Sequence, residues 1–91
     1  MPASCSASTD VALPAHVDLH ARPAADFVRA AMRFPAEIWL GAGEREANAK
    51  SLLSILALGA RRGTTLSLRA EGEHAEATVE ALATTIAALR E

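Results

Sequence analysis

The sequence predicts an α+β fold, a sandwich in which a sheet of about four strands carries its helices on one face. Three observations lead there. Residues 64–71 alternate Leu66, Leu68 and Ala70 with Thr65, Ser67, Arg69 and Glu71, the period of a half-buried strand. Residues 75–89 place Val79, Leu82, Ile86 and Leu89 at helical spacing. The full order of elements reads strand, helix, strand, strand, helix, strand, helix. With 91 residues there is room for one core and one domain.

Taken in order, residues 1–8 have the small, polar composition of a flexible N-terminal extension, and the domain proper is expected over residues 9–91. From Thr9 to Leu13, Val11 and Leu13 alternate with Asp10 and Ala12, and Pro14 suits the end of an edge strand. The first helix is expected from Pro23 to about Arg33, with Ala24, Phe27, Val28, Ala31 and Met32 on its apolar stripe. Pro35 disfavours helical backbone at Phe34 and so ends it. Glu37 to Leu40 reads as a strand, Gly41 to Glu44 as a turn, and Arg45 to Asn48 as a short return strand. Lys50 to Gly59 forms a short helix with Ser51 as N-cap and Gly59 as its stop. That helix is apolar nearly all round, which implies deep burial or a face offered to a partner. Arg61-Arg62-Gly63 turns the chain into the strand of residues 64–71. His74 begins or precedes the last helix.

Composition removes several classes of function. The apolar share of 51% rests on alanine and leucine, and Phe27, Phe34 and Trp39 are the only aromatics, so base stacking is not expected. A net charge of −2 with mixed signs argues against nucleic-acid binding. The single cysteine, Cys5, makes no internal disulfide. Apolar runs are too short for membrane insertion or a secretory signal, so a cytoplasmic protein is expected.

Chemistry is concentrated in Leu19-His20-Ala21-Arg22-Pro23-Ala24-Ala25. Pro23, with its fixed φ and no N–H, suits a first helical turn, which sets His20 and Arg22 at the opening of a helix. Free N–H groups and the positive end of the helix dipole favour an anion there, such as a phosphoryl group. The same field favours a neutral, nucleophilic imidazole, and Arg22 offers planar donors to phosphoryl oxygens. Read without this, His20 is a helix-flanking polar residue and Arg22 a solvated surface arginine.

This stretch resembles the active-site signature of the HPr family, the histidine-containing phosphocarriers of the bacterial phosphoenolpyruvate-dependent sugar phosphotransferase system. Ala49-Lys50-Ser51-Leu52-Leu53 with Leu58-Gly59 resembles the family's second signature, and Ala70-Glu71-Gly72-Glu73 the end of its last strand. The likeness runs from Thr9 onward. It implies an open-faced β-sandwich, a four-stranded antiparallel sheet with three helices packed on one face. It further implies that His20 accepts a phosphoryl group on Nδ1 from enzyme I and passes it to the A domain of a sugar-specific enzyme II, with Arg22 assisting. Such a carrier is a substrate and donor in a relay, acts as a monomer, and needs no cofactor. The family's regulatory serine falls on Ser51, the target of an HPr kinase/phosphorylase in many Gram-positive members. Leu52 and Leu53 would form part of an apolar docking surface, with Ala25 and Arg29 within a partner's reach, and at least one of the two leucines is expected to be exposed.

Where the family usually has glycine before the Leu-His pair, this chain has Asp18, whose carboxylate would raise the pKa of His20 and repel a phosphoryl group. Within the family, the alternative is a regulatory paralogue in nitrogen or carbon signalling. Outside it, His16, Asp18 and His20 alternate, so an extended segment would aim all three at one divalent metal in a metal-binding α+β module.

Overall fold

The computed structural model describes residues 5–91 as β1 (Ser6–Ala12), α1 (Ala21–Ala31), β2 (Glu37–Ala42), β3 (Arg45–Asn48), α2 (Leu52–Leu58), β4 (Thr65–Glu71) and α3 (Ala75–Ala87). The four strands form one antiparallel sheet in the order β1-β4-β2-β3. Both the class and the element order are those the sequence predicts.

Period-2 patterning separates the faces of the sheet. Ile38, Leu40, Leu66, Leu68 and Ala70 point into the core, whereas Glu37, Ser67, Glu46 and Asp10 are exposed on the other side. Phe27 and Val28 of α1, Ile55 and Leu58 of α2, and Val79, Leu82 and Ile86 of α3 cover the apolar face and join it in one core. Each such side chain contributes ~1.5–3 kcal/mol on burial. The opposite face stays open. There the Arg69 guanidinium lies 4.1 Å from the centre of the Trp39 ring and bonds Glu71 at 2.8 Å and Glu46 at 3.2 Å.

Several boundaries move, each for a physical reason. β1 starts at Ser6, so Ser6, Ala7 and Ser8 belong to the sheet and not to an extension ending at residue 8. Their backbones pair with Glu71, Ala70 and Arg69, and an edge strand asks little of side chains, so small residues suffice. Residues 1–4 of that expected extension lie outside the described residues. Gly41 and Ala42 are the end of β2 and not part of the turn; a Cβ on Gly41 would stand 2.4 Å from the Ser67 Oγ, so the side chain missing there permits close strand approach. The loop shrinks to Gly43-Glu44, where Gly43 carries the positive φ (62°) that a tight hairpin needs. α1 begins two residues before Pro23, which occupies the third helical position, still among those whose N–H has no intrahelical acceptor. At the end of α1 the Lys50 ammonium donates to the Phe34 carbonyl at 2.6 Å. No helix among the described residues is long and apolar enough to cross a membrane.

Candidate functional site

The chain between β1 and α1 is a loop whose buried and exposed residues alternate. Val17 and Leu19 are sealed in the core, and His20 is exposed. Backbone bonds fix this arrangement: the Leu19 N–H donates to the Ala60 carbonyl at 2.9 Å, and the His20 N–H to the Asp18 carbonyl at 2.9 Å. The leucine is the anchor that turns the histidine outward.

His20 is the N-cap of α1, with extended backbone (φ −142°, ψ 161°) and no capping bond from its side chain. The imidazole is therefore not consumed by the helix it precedes. Ala21 and Arg22 hold the first two helical positions, whose N–H groups find no acceptor within the helix. No acidic side chain occupies the first turn. The positive end of α1 is thus open beside an exposed ring, which suits an approaching anion. Ala21 enters the helix at φ 37°, a conformation costly for any residue with a Cβ.

A shallow depression of about 580 Å³ joins His20, Arg22 and Pro23 to Leu56, Ala60 and Arg61. Arg22 also lines a second hollow beside it, formed with Asp26 and the end of the chain, and Glu91 borders both. His20 and Arg22, paired by the sequence signature, therefore share one surface. Arg61 and Glu91 are additions that sequence reasoning missed. Arg61 is legible in the sequence only as part of a turn, since nothing local says that this turn folds against the His20 loop.

Asp18 lines the same depression, and its carboxylate is engaged by Arg62. Its Oδ1 accepts the Arg62 N–H at 2.8 Å, and its Oδ2 lies 3.5 Å from the Arg62 guanidinium. The backbone bond first, then the guanidinium and Arg61, hold its carboxyl below the usual carboxylate range against an opposing loss of hydration. The metal alternative is corrected outright. The segment turns at Ala15-His16, where the Val17 N–H bonds the Pro14 carbonyl, and residues 16–20 form no strand. Among the described residues no group of three His, Cys, Asp or Glu side chains is placed to hold a metal ion.

Ser51 is the N-cap of α2, its Oγ accepting the Ser54 N–H at 3.2 Å, and Gly59 ends the helix at φ 65°. Leu52 and Leu53 follow, 41% and 80% exposed, so the near-uniform apolarity of α2 is resolved into a buried side (Ile55, Leu58) and an offered one. Half-buried Leu56 connects that offered side to the His20 depression. On α1, Ala25 is half-buried and Arg29 exposed and paired with Asp26; neither lines the depression. Together, an exposed imidazole, free N–H groups and a guanidinium form a set able to take up and hold a phosphoryl group, with an apolar surface adjoining.

Comparison with known proteins agrees with this geometry. The family model described as "PTS HPr component phosphorylation site" matches residues 7–88. The phosphocarrier protein HPr of Haemophilus influenzae is 42% identical over 82 residues, covering 90% of this chain and 96% of that protein. The HPr-like protein Crh of Bacillus subtilis is 40% identical over 71% of this chain and 76% of its own length. The crystal structure of HPr from Bacillus anthracis superposes with a TM-score of 0.84 at 36% identity, covering 89% of this chain and 96% of that one. With the family model spanning nearly all of the sequence and both the fold and the relatives in agreement, the chain belongs to the HPr family of phosphocarrier proteins of the phosphotransferase system.

Proposed function

We propose that His20 is the phosphoryl-carrying residue, accepting the group from phosphorylated enzyme I and delivering it to the A domain of a sugar-specific enzyme II. The observation that supports this most is the exposed His20 ring, free of any capping bond, at the N-terminus of α1, whose first turn carries no acidic side chain. On loading, a lone pair of the His20 ring, on Nδ1 by the family resemblance, forms the N–P bond as the bond from phosphorus to enzyme I breaks. On delivery that N–P bond breaks as the acceptor on the A domain bonds phosphorus, and the lone pair returns to His20. The N–H groups of Ala21 and Arg22 and the Arg22 guanidinium balance the charge on the phosphoryl oxygens. Rate comes from positioning and charge stabilisation in the docked pair, so the protein is a substrate and donor without turnover of its own. Leu52 and Leu53 form the apolar part of the dock, and Ala25 and Arg29 lie at its margin. A single cytoplasmic copy suffices for this relay.

Ser51 is proposed as a regulatory site for an HPr kinase/phosphorylase. A phosphate on a half-exposed N-cap is accommodated by the helix it caps, yet it places negative charge beside Leu52 and Leu53, where a partner would sit. An ATP-dependent, acid-stable phosphate absent from Ser51→Ala is the expected result, and its persistence in that variant contradicts the assignment.

The carrier reading is tested by loading the protein with labelled phosphoryl from phosphoenolpyruvate and enzyme I, then adding the A domain of enzyme II. Label should move to the A domain, and Arg22→Ala should slow both steps by roughly tenfold or more, as for loss of one charge-stabilising donor. Retention of the label on the protein in the presence of competent A domains overturns the proposal.

A further inference from the structure

Resting on the carrier reading of His20, we propose that Asp18 is a positioning residue for phosphoryl transfer: its carboxylate fastens the loop that presents His20 to the turn between α2 and β4. Residue 18 grips in two directions. Its side chain takes the Arg62 N–H at 2.8 Å, across 44 residues of sequence, while its carbonyl takes the N–H of His20 itself at 2.9 Å. Two backbone bonds also join the loop to that turn, from the Leu19 N–H to the Ala60 carbonyl at 2.9 Å and, farther from His20, from the Gly63 N–H to the Pro14 carbonyl at 3.2 Å.

The ties at Asp18 and Leu19 lie closest to His20 and together set how the ring is presented. Without the Asp18 side chain the His20 loop keeps the Leu19 and Pro14 bonds but loses the side-chain hold two residues from His20. The grip also holds the backbone at Arg62, next to Arg61, which lines the His20 depression together with Asp18. A carboxylate this close to an incoming phosphoryl group would ordinarily oppose it. Here the Arg62 guanidinium at 3.5 Å offsets that charge, so the hold costs the site little repulsion. Because transfer requires reacting atoms held within a few tenths of an ångström of line, loosening the loop should reduce rate more than docking.

The test measures kcat and KM for wild type, Asp18→Asn, Asp18→Ala and Asp18→Gly as phosphoryl acceptors of enzyme I, with phosphoenolpyruvate as the donor. Asp18→Ala and Asp18→Gly should lose about five- to tenfold in kcat with KM moved less than about twofold, the mark of lost positioning. Asp18→Asn, which can still accept the Arg62 N–H, should recover to within about twofold of wild type. Wild-type kcat in both Asp18→Ala and Asp18→Gly overturns the proposal. So does an equal loss in Asp18→Asn, which would indicate charge in place of the hydrogen bond, and so does a rise confined to KM. If the wild type accepts no phosphoryl group, the carrier reading fails. Amide exchange at Leu19, His20 and Arg62 still decides the hold in that case, supporting it if faster in Asp18→Ala than in Asp18→Asn and overturning it if equal.

Discussion

Replacing Ala21 by glycine should stabilise this protein, whereas the same change in an ordinary helix weakens it. Ala21 enters α1 at φ 37°. Its side chain is exposed, so removing the methyl group leaves no cavity. A residue with a Cβ held in a positive-φ conformation carries ~1–3 kcal/mol of strain. Glycine removes that strain but adds backbone freedom to the unfolded chain, a cost of ~0.5–1 kcal/mol. With mid-range values on both sides the difference leaves Ala21→Gly more stable by about 1 kcal/mol, which for a domain of this size raises Tm by ~4–8 °C. Equilibrium urea unfolding reads it directly as a higher midpoint at unchanged slope. Ala81→Gly, at an exposed position inside α3, is the matched control and should lose ~0.5–1 kcal/mol. If Ala21→Gly is destabilised as much as the control, the backbone next to His20 is not strained and the reasoning fails.

Other expectations bear on the cap, the docking surface and acid. Ser51→Ala removes the acceptor for the Ser54 N–H and should cost ~1 kcal/mol by urea unfolding, whereas Ser51→Asp, which can still cap, should cost less. Leu53→Ala should change stability by less than ~0.5 kcal/mol, since the side chain is 80% exposed. The same substitution should raise the KM for enzyme I severalfold by loss of the apolar dock. By contrast, Leu68→Ala in the core should cost ~2–5 kcal/mol. Asp18 has a depressed carboxyl pKa, so its stabilising contribution is complete above the ordinary aspartate value and is lost as pH falls through the lower folded value. NMR titration of the Arg62 amide should therefore show its change below the usual carboxylate range. A midpoint at or above that range contradicts the assignment.

Much of this architecture is written locally in the chain. β4 and α3 announce themselves by period, because one face of each must meet the core, and Ser51 and Gly59 mark the ends of α2 by chemistry any short helix needs. The parts that are not legible depend on partners distant in sequence. Ser6 to Ser8 carry no apolar signal, because backbone pairing with β4 is all that recruits them. Gly41 reads as a turn residue until the approach of Ser67 is known. At the site, His20 and Arg22 are adjacent in sequence and were visible as a pair. Arg61 joins them only through the packing of the turn after α2. Asp18 is the position whose partner is least legible. Sequence alone makes it a threat to the phosphoryl group, and the structure pairs it with Arg62 on a turn that no local pattern associates with it.

The most direct test of the account is to incubate the protein with phosphoenolpyruvate and active enzyme I and to follow phosphorus by NMR. A phosphoramidate that is stable in base, lost in acid and absent from a folded His20→Ala variant is the predicted result. Failure of the wild type to be labelled, or a phosphoramidate that survives in His20→Ala, contradicts the assignment of His20 as the carrier.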